Sequence, residues 1–140
     1  MGKIYLEYLD IDGKGYYECG VCQTHFTKAS DLISKNFHGK TGQAFLFNNA
    51  VNVFKGPEEE KVLMTGLHKV CDIHCRNCMK IVGWTYIYAH NQSEKYKEGK
   101  FIIEKAYIKH KSRNSSDKKL ISGVASTHNE SAALSMDEID

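Results

Sequence analysis

Apolar and polar residues alternate with a period of two over most of the first 110 positions, the spacing expected of half-buried strands. Across 82–88 the alternation puts Val82, Trp84, Tyr86 and Tyr88 on one side and Gly83, Thr85 and Ile87 on the other. A partner strand is predicted over 100–110, with Phe101, Ile103 and Tyr107 on one face and Glu104 and Ile108 on the opposite one. Further strands are predicted at 3–9, 16–18, 44–47, 51–54, 61–65 and 68–73, with Pro57 in a loop of sequence GPEEE. The only helical pattern of note is short, at 28–34, where Leu32 and Ile33 follow residues able to cap it. Strands do not alternate with helices, so the pattern predicts a mostly antiparallel β domain of about eight short strands, not a parallel sheet.

Composition changes this picture at the C-terminus. Residues 111–140 contain no Phe, Tyr or Trp and are rich in Ser, Asn and charge. Such a segment buries too little apolar surface to offset its ordering entropy. The chain therefore divides into a domain over 1–110 and a tail over 111–140 that is expected to be disordered. Lys and Arg number 19 against 17 Asp and Glu, a balance that indicates neither a polyanionic partner nor a membrane surface. Apolar runs fall well short of the roughly 20 residues that span a bilayer. The first ten residues lack the apolar core of a secretory leader, which predicts a soluble intracellular chain. Gly2 invites a check for myristoylation, but Leu6 stands where that motif wants Ser or Thr.

In a reducing compartment, five cysteines point to metal binding or catalysis, not to disulfides. Four of them form two C-x-x-C pairs, Cys19 with Cys22 and Cys75 with Cys78. Two such pairs supply four thiolates for a tetrahedral zinc ion. The interval from Gln23 to His74 is 52 residues, far longer than in a zinc finger. The predicted metal is thus a clamp between two distant parts of one domain, closing a long loop. Four thiolates also fill the coordination sphere, which leaves no position for a catalytic water. The alternatives are a dithiol redox motif in each pair, or replacement of one cysteine by His25, His68 or His74. Cys71, the fifth cysteine, reads either as a buried free thiol or as a reactive nucleophile.

These residues are embedded in a longer pattern. Cys19 and Cys22 are followed by Gly42, Leu46, Asn52 and Gly66, then Cys75 and Cys78, Gly83-Trp84-x-Tyr86, and finally Lys97 and Glu104. In these residues and their spacing the chain resembles the Yippee-like family across nearly all of 1–110. The resemblance implies a β-tent, in which two antiparallel sheets meet at an angle and one structural zinc pins their base. Cereblon-like and Mss4-like zinc folds share that architecture. Related tents hold ligands in an aromatic pocket, which makes Phe47, Trp84 and Tyr86 candidates for a groove. The alternative for Trp84 and Tyr86 is plain sheet core.

The opening MGKIYLEYLD is similar to the subgroup associated with the CTLH ubiquitin ligase, called GID in yeasts, and the Ser/Asn-rich tail suits a fungal member. The function this implies is a non-enzymatic adaptor or modulator bound to protein subunits of that ligase, in cytoplasm and nucleus. One alternative is a thiol redox enzyme resembling methionine sulfoxide reductases of the B type, with Cys71 as nucleophile. Another is an RNA-binding zinc module using Lys95, Lys97, Lys100, Lys105 and Lys109, although Glu94, Glu98 and Glu104 interleave with them.

Overall fold

The short intervals between apolar runs favour hairpins over crossovers, and the computed structural model, which describes residues 6–9 and 14–112, bears this out. Nine strands lie among the described residues: β1 (Tyr16–Cys19), β2 (His25–Lys28), β3 (Leu32–Gly39), β4 (Gly42–Phe47), β5 (Val53–Leu63), β6 (Gly66–Cys75), β7 (Ile81–Ala89), β8 (Phe101–Glu104) and β9 (Ile108–Lys111). They form a three-stranded sheet in the order β2-β1-β9 and a six-stranded sheet in the order β3-β4-β8-β7-β6-β5. All pairs of these strands are antiparallel.

The strand predicted over 100–110 is in fact two. The chain leaves the six-stranded sheet after Glu104, turns through a 3-10 segment at Lys105–Tyr107, and enters the three-stranded sheet as β9. The Tyr107 carbonyl accepts the Gly20 amide at 2.8 Å, which fixes the corner against the first cysteine turn. Three other expectations are corrected. The helical pattern at 28–34 is a 3-10 turn over Ala29–Asp31 leading into β3, because seven residues repay helix nucleation poorly while Leu32 gains a strand partner in Phe47. Pro57 lies within β5, not in a loop. It sits at a register shift between Lys55 and Glu58 on an edge strand, where a missing amide is tolerated. Residues 6–9 belong to no strand, and the rest of the predicted strand at 3–9 lies outside the described residues. So does the tail from residue 113 onward; β9 runs one residue into the segment assigned to it.

Alternation along the central strands builds two cores. Phe45 and Phe47 of β4, Ile73 of β6, Val82 of β7 and Ile103 of β8 pack with Tyr17, Phe26 and Ile108 of the other sheet. The intervening residues Ala44, Leu46, Val70, Trp84, Tyr86 and Ile102 form a second cluster with Phe37. The six-stranded sheet is therefore buried on both faces at its centre, which explains apolar runs such as AFLF and FII. Each large core side chain contributes about 1.5–3 kcal/mol.

Two bulges break the alternation in β7. Ile73 pairs with Gly83 and His74 with Ile81, so Val82 is an extra residue. It turns into the first cluster while Trp84 and Tyr86 stay in the second. Ile87 is the second extra residue, between Tyr86 and Tyr88, and Tyr88 ends exposed.

The second cluster is capped by charge. Lys97, from the 3-10 segment Gln92–Lys97, is 1% exposed. Its Nζ lies 5.3 Å and 5.2 Å from the ring centres of Phe37 and Tyr86, pairs with Glu94 at 2.8 Å and donates to the Thr65 hydroxyl at 3.0 Å. Glu104, 5% exposed, accepts from the amide of Thr41 at 2.8 Å and from its hydroxyl, and so holds the β3–β4 turn.

Strands β7 and β8 approach so closely at Gly83 that a Cβ there would sit 1.9 Å from the Ile102 carbonyl oxygen. Gly83→Ala is expected to destabilise the zinc-loaded protein by at least about 2 kcal/mol through overpacking against backbone. Chemical denaturation measures this, and an unchanged midpoint would contradict the close approach.

Candidate metal centre

Each cysteine pair lies on a turn that closes a strand against its own return. In the first, the Gln23 amide donates to the Cys19 carbonyl at 3.0 Å and the Cys19 amide to the Thr24 carbonyl at 2.8 Å. The second repeats the arrangement, with Met79 to Cys75 and Cys75 to Lys80, both at 2.8 Å. The residue after the second cysteine is left-handed in both turns, Gln23 at φ 63 and Met79 at φ 68. For a residue with a Cβ this conformation costs on the order of 1–2 kcal/mol, so something beyond local preference holds both turns.

That something is the convergence of the four thiols. The Sγ atoms of Cys19, Cys22, Cys75 and Cys78 all lie within 4.8 Å of one another, with Cys19 to Cys78 at 3.8 Å and Cys22 to Cys75 at 3.6 Å. Zinc–sulfur bonds of about 2.3 Å in a tetrahedron put sulfurs about 3.8 Å apart. The donor set fits zinc in both type and spacing, and the site is a structural zinc centre. Cys19 ends β1 in the small sheet and Cys75 ends β6 in the large one, so the ion joins the two sheets.

The surroundings tune the thiols unequally. Burial pushes Cys19 up to about 12, against hydrogen bonds from the Cys22 and Val21 amides. Burial likewise raises Cys75. At Cys22 burial opposes ionisation, but hydrogen bonds from the Thr24 hydroxyl and amide and from the Asn77 side chain outweigh it and bring the thiol down to about 6. The sequence does not mark Thr24 and Asn77 as thiol partners, since polar residues in a turn carry no sign of what they bond.

The three histidines near the pairs in sequence all point elsewhere. His25 Nδ1 accepts the Leu9 amide at 3.1 Å. His68 is fully buried with Nδ1 on the Gly66 carbonyl at 2.9 Å, and His74 stacks on Phe54 with ring centres 4.7 Å apart. Cys71 is 2% exposed and stands outside the thiol cluster; burial, aided by Glu58, raises its pKa, which works against a thiolate nucleophile. Of the five lysines considered for RNA, Lys97 is internal, and Lys95 pairs with Glu98 at 3.2 Å.

The groove candidates separate. Phe47 is fully buried in the first cluster, 5.2 Å from the ring of Tyr17. Trp84 and Tyr86 lie together in the second cluster, their rings 6.5 Å apart, with Tyr86 fully buried. Trp84 lines an open cleft with Lys40, Lys61, Leu63, Val70, Asp72 and Glu104, enclosing ≈ 490 Å³ of empty space including its mouth. Its buried indole Nε1 has no hydrogen-bond partner, and neither has Nε2 of His68.

Comparison with known proteins places this site. The family described as Yippee zinc-binding/DNA-binding/Mis18, centromere assembly, matches residues 16–122, a span that takes in all four cysteines. The chain belongs to the Yippee family. Human yippee-like 3 is 54% identical over 102 residues, which cover 73% of this chain and 85% of that protein. A yippee-like protein of Arabidopsis thaliana is 50% identical over 105 residues, 75% of this chain and 80% of its own. The crystal structure of a Mis18 "Yippee-like" domain matches with a TM-score of 0.56 at 13% identity, over 69% of this chain and 94% of that one. At that identity the likeness concerns the fold, and it agrees with the two-sheet architecture expected of the Yippee resemblance.

Zinc uptake by a Yippee domain with these thiols must displace protons. At pH 7 Cys19 and Cys75 are protonated in the metal-free site, so at least two protons leave as zinc enters. Zinc affinity is therefore expected to fall by at least about a hundredfold for each unit of pH lowered below neutrality, and more steeply once Cys22 also takes up a proton. Competition titration with a chelator of known pH dependence measures this, and an affinity indifferent to pH would contradict the thiolate set.

Proposed function

We propose that this Yippee protein is a non-enzymatic recognition subunit, an adaptor or modulator, of a CTLH/GID-type ubiquitin ligase in cytoplasm and nucleus. The observation that carries the reading is the division between a metal centre whose four thiolates take up the whole coordination sphere and a separate cleft at Trp84. Zinc bound by four sulfurs has no free position at which to activate water, so its work is mechanical. The cleft offers what recognition needs: an aromatic wall from Trp84 and charged residues of both signs in its lining. Support for this particular ligase comes from the similarity of the N-terminal segment to the subgroup tied to it.

Affinity purification of the tagged full chain with mass spectrometry is expected to recover ligase subunits. Trp84→Leu should reduce that recovery at least severalfold while leaving zinc content at one ion per chain. Reproducible recovery of no ligase subunit would refute the assignment. Undiminished recovery with Trp84→Leu would move the contact away from the cleft.

A further inference from the structure

Residues 6–9 are held against the domain in an unusual way. They belong to no strand, yet their backbone is bound as a strand's would be, by side chains in place of a neighbouring strand. Asn52 Oδ1 accepts the Glu7 amide at 2.8 Å, and Asn52 Nδ2 donates to the Glu7 carbonyl at 2.9 Å. The same Nδ2 donates to the His25 carbonyl at 2.7 Å, which fixes the amide's orientation. Two residues further on, the Leu9 amide donates to Nδ1 of His25. Amides at i and i+2 face the same side of an extended chain, so Asn52 and His25 together read extended backbone.

The receptor is built, not incidental. Asn52 is 8% exposed and stands at φ 61, a left-handed conformation that asparagine tolerates better than most residues. The His25 ring is held by Tyr16 of β1, with ring centres 4.2 Å apart, and meets Tyr8 of the bound segment at 5.3 Å. None of the three backbone bonds depends on the identity of the side chain at Glu7 or Leu9. A cavity lies between the segment and the metal centre, lined by Leu6, Glu7 and Tyr8 on one side and by Cys22, Thr24 and Asn77 on the other.

We propose that Asn52 and His25 form a receptor for an extended peptide, one that the chain fills in cis with residues 6–9. A peptide from a partner, offering an amide and carbonyl at one residue and an amide two residues later, takes the same bonds in exchange. The exchange is coupled to the zinc centre, because whatever occupies the receptor covers the Cys22 side of it. A tethered segment has an effective concentration in the millimolar range, so the cis occupant outcompetes weak peptides until it is displaced.

The test uses the zinc-loaded full chain. Glu7→Pro with Leu9→Pro removes both donated amides from the segment and leaves the receptor untouched. A fluorescent peptide of residues 4–11, IYLEYLDI, is expected to bind this variant saturably, and on the order of tenfold more weakly when Asn52→Asp is added, the worth of one or two hydrogen bonds. The double-proline variant should also lose zinc to a chelator faster than wild type, and the unlabelled peptide should slow that loss. A merely structural strap would give the faster loss without rescue by peptide, and that result overturns the proposal. So does absence of binding by a variant that melts like wild type. Should the prolines unfold the protein, millimolar peptide added to isotope-labelled wild type should shift the Glu7 and Leu9 amide resonances, and unmoved resonances overturn the proposal equally.

Discussion

Four thiolates around one zinc ion join two sheets that also share an apolar cluster. Cys19 and Cys75 close the ends of strands in different sheets, and the chain between the pairs contributes five of the nine strands among the described residues. Structural zinc typically contributes about 10–16 kcal/mol, against a net stability of about 5–15 kcal/mol for an ordinary domain. The metal term is thus as large as everything left over after the other contributions cancel. Its size accounts for two left-handed residues, Gln23 and Met79, in turns that local preference alone would not close in that form.

The large sheet then serves two purposes through its two faces. One packs Phe45, Phe47, Ile73, Val82 and Ile103 toward the zinc-bearing sheet. The other gathers Leu46, Val70, Trp84, Tyr86 and Ile102 beneath Lys97 and beside the cleft. Lys97 and Glu104 look like surface residues in the sequence and are anchors in the structure: one caps the second cluster with its paired charge, the other ties the β3–β4 turn to β8. Gly39 belongs to the same arrangement, since a Cβ there would meet the Glu104 carboxylate at 2.7 Å.

How much of this was legible in the sequence follows from how local each signal is. The zinc ligands were readable because two thiolates in one tight turn are a local chemical feature. The pairing of β7 with β8 was readable because its apolar period survives in the residues that matter. Bulges at Val82 and Ile87 were not, since an extra residue leaves no mark on composition while reversing every face beyond it. The short pattern at 28–34 satisfied a helix and a strand alike until Phe47 supplied the partner for Leu32. Pro57 marked a loop by the usual rule and instead lies on an edge strand, a position that only the sheet order reveals. Phe47 carried the same aromatic signal as Trp84, and the pleat of β4 sends it to the opposite side of the sheet from the cleft.

The central claim is that zinc holds the two sheets as one cooperative unit. Amide hydrogen exchange before and after removal of zinc by a strong chelator tests it most directly. The account predicts that Tyr17, Glu18, Thr27 and Lys109 in the small sheet lose protection together with Phe45, Ile73 and Ile103 in the large one. Retention of native protection in either sheet without metal would contradict it.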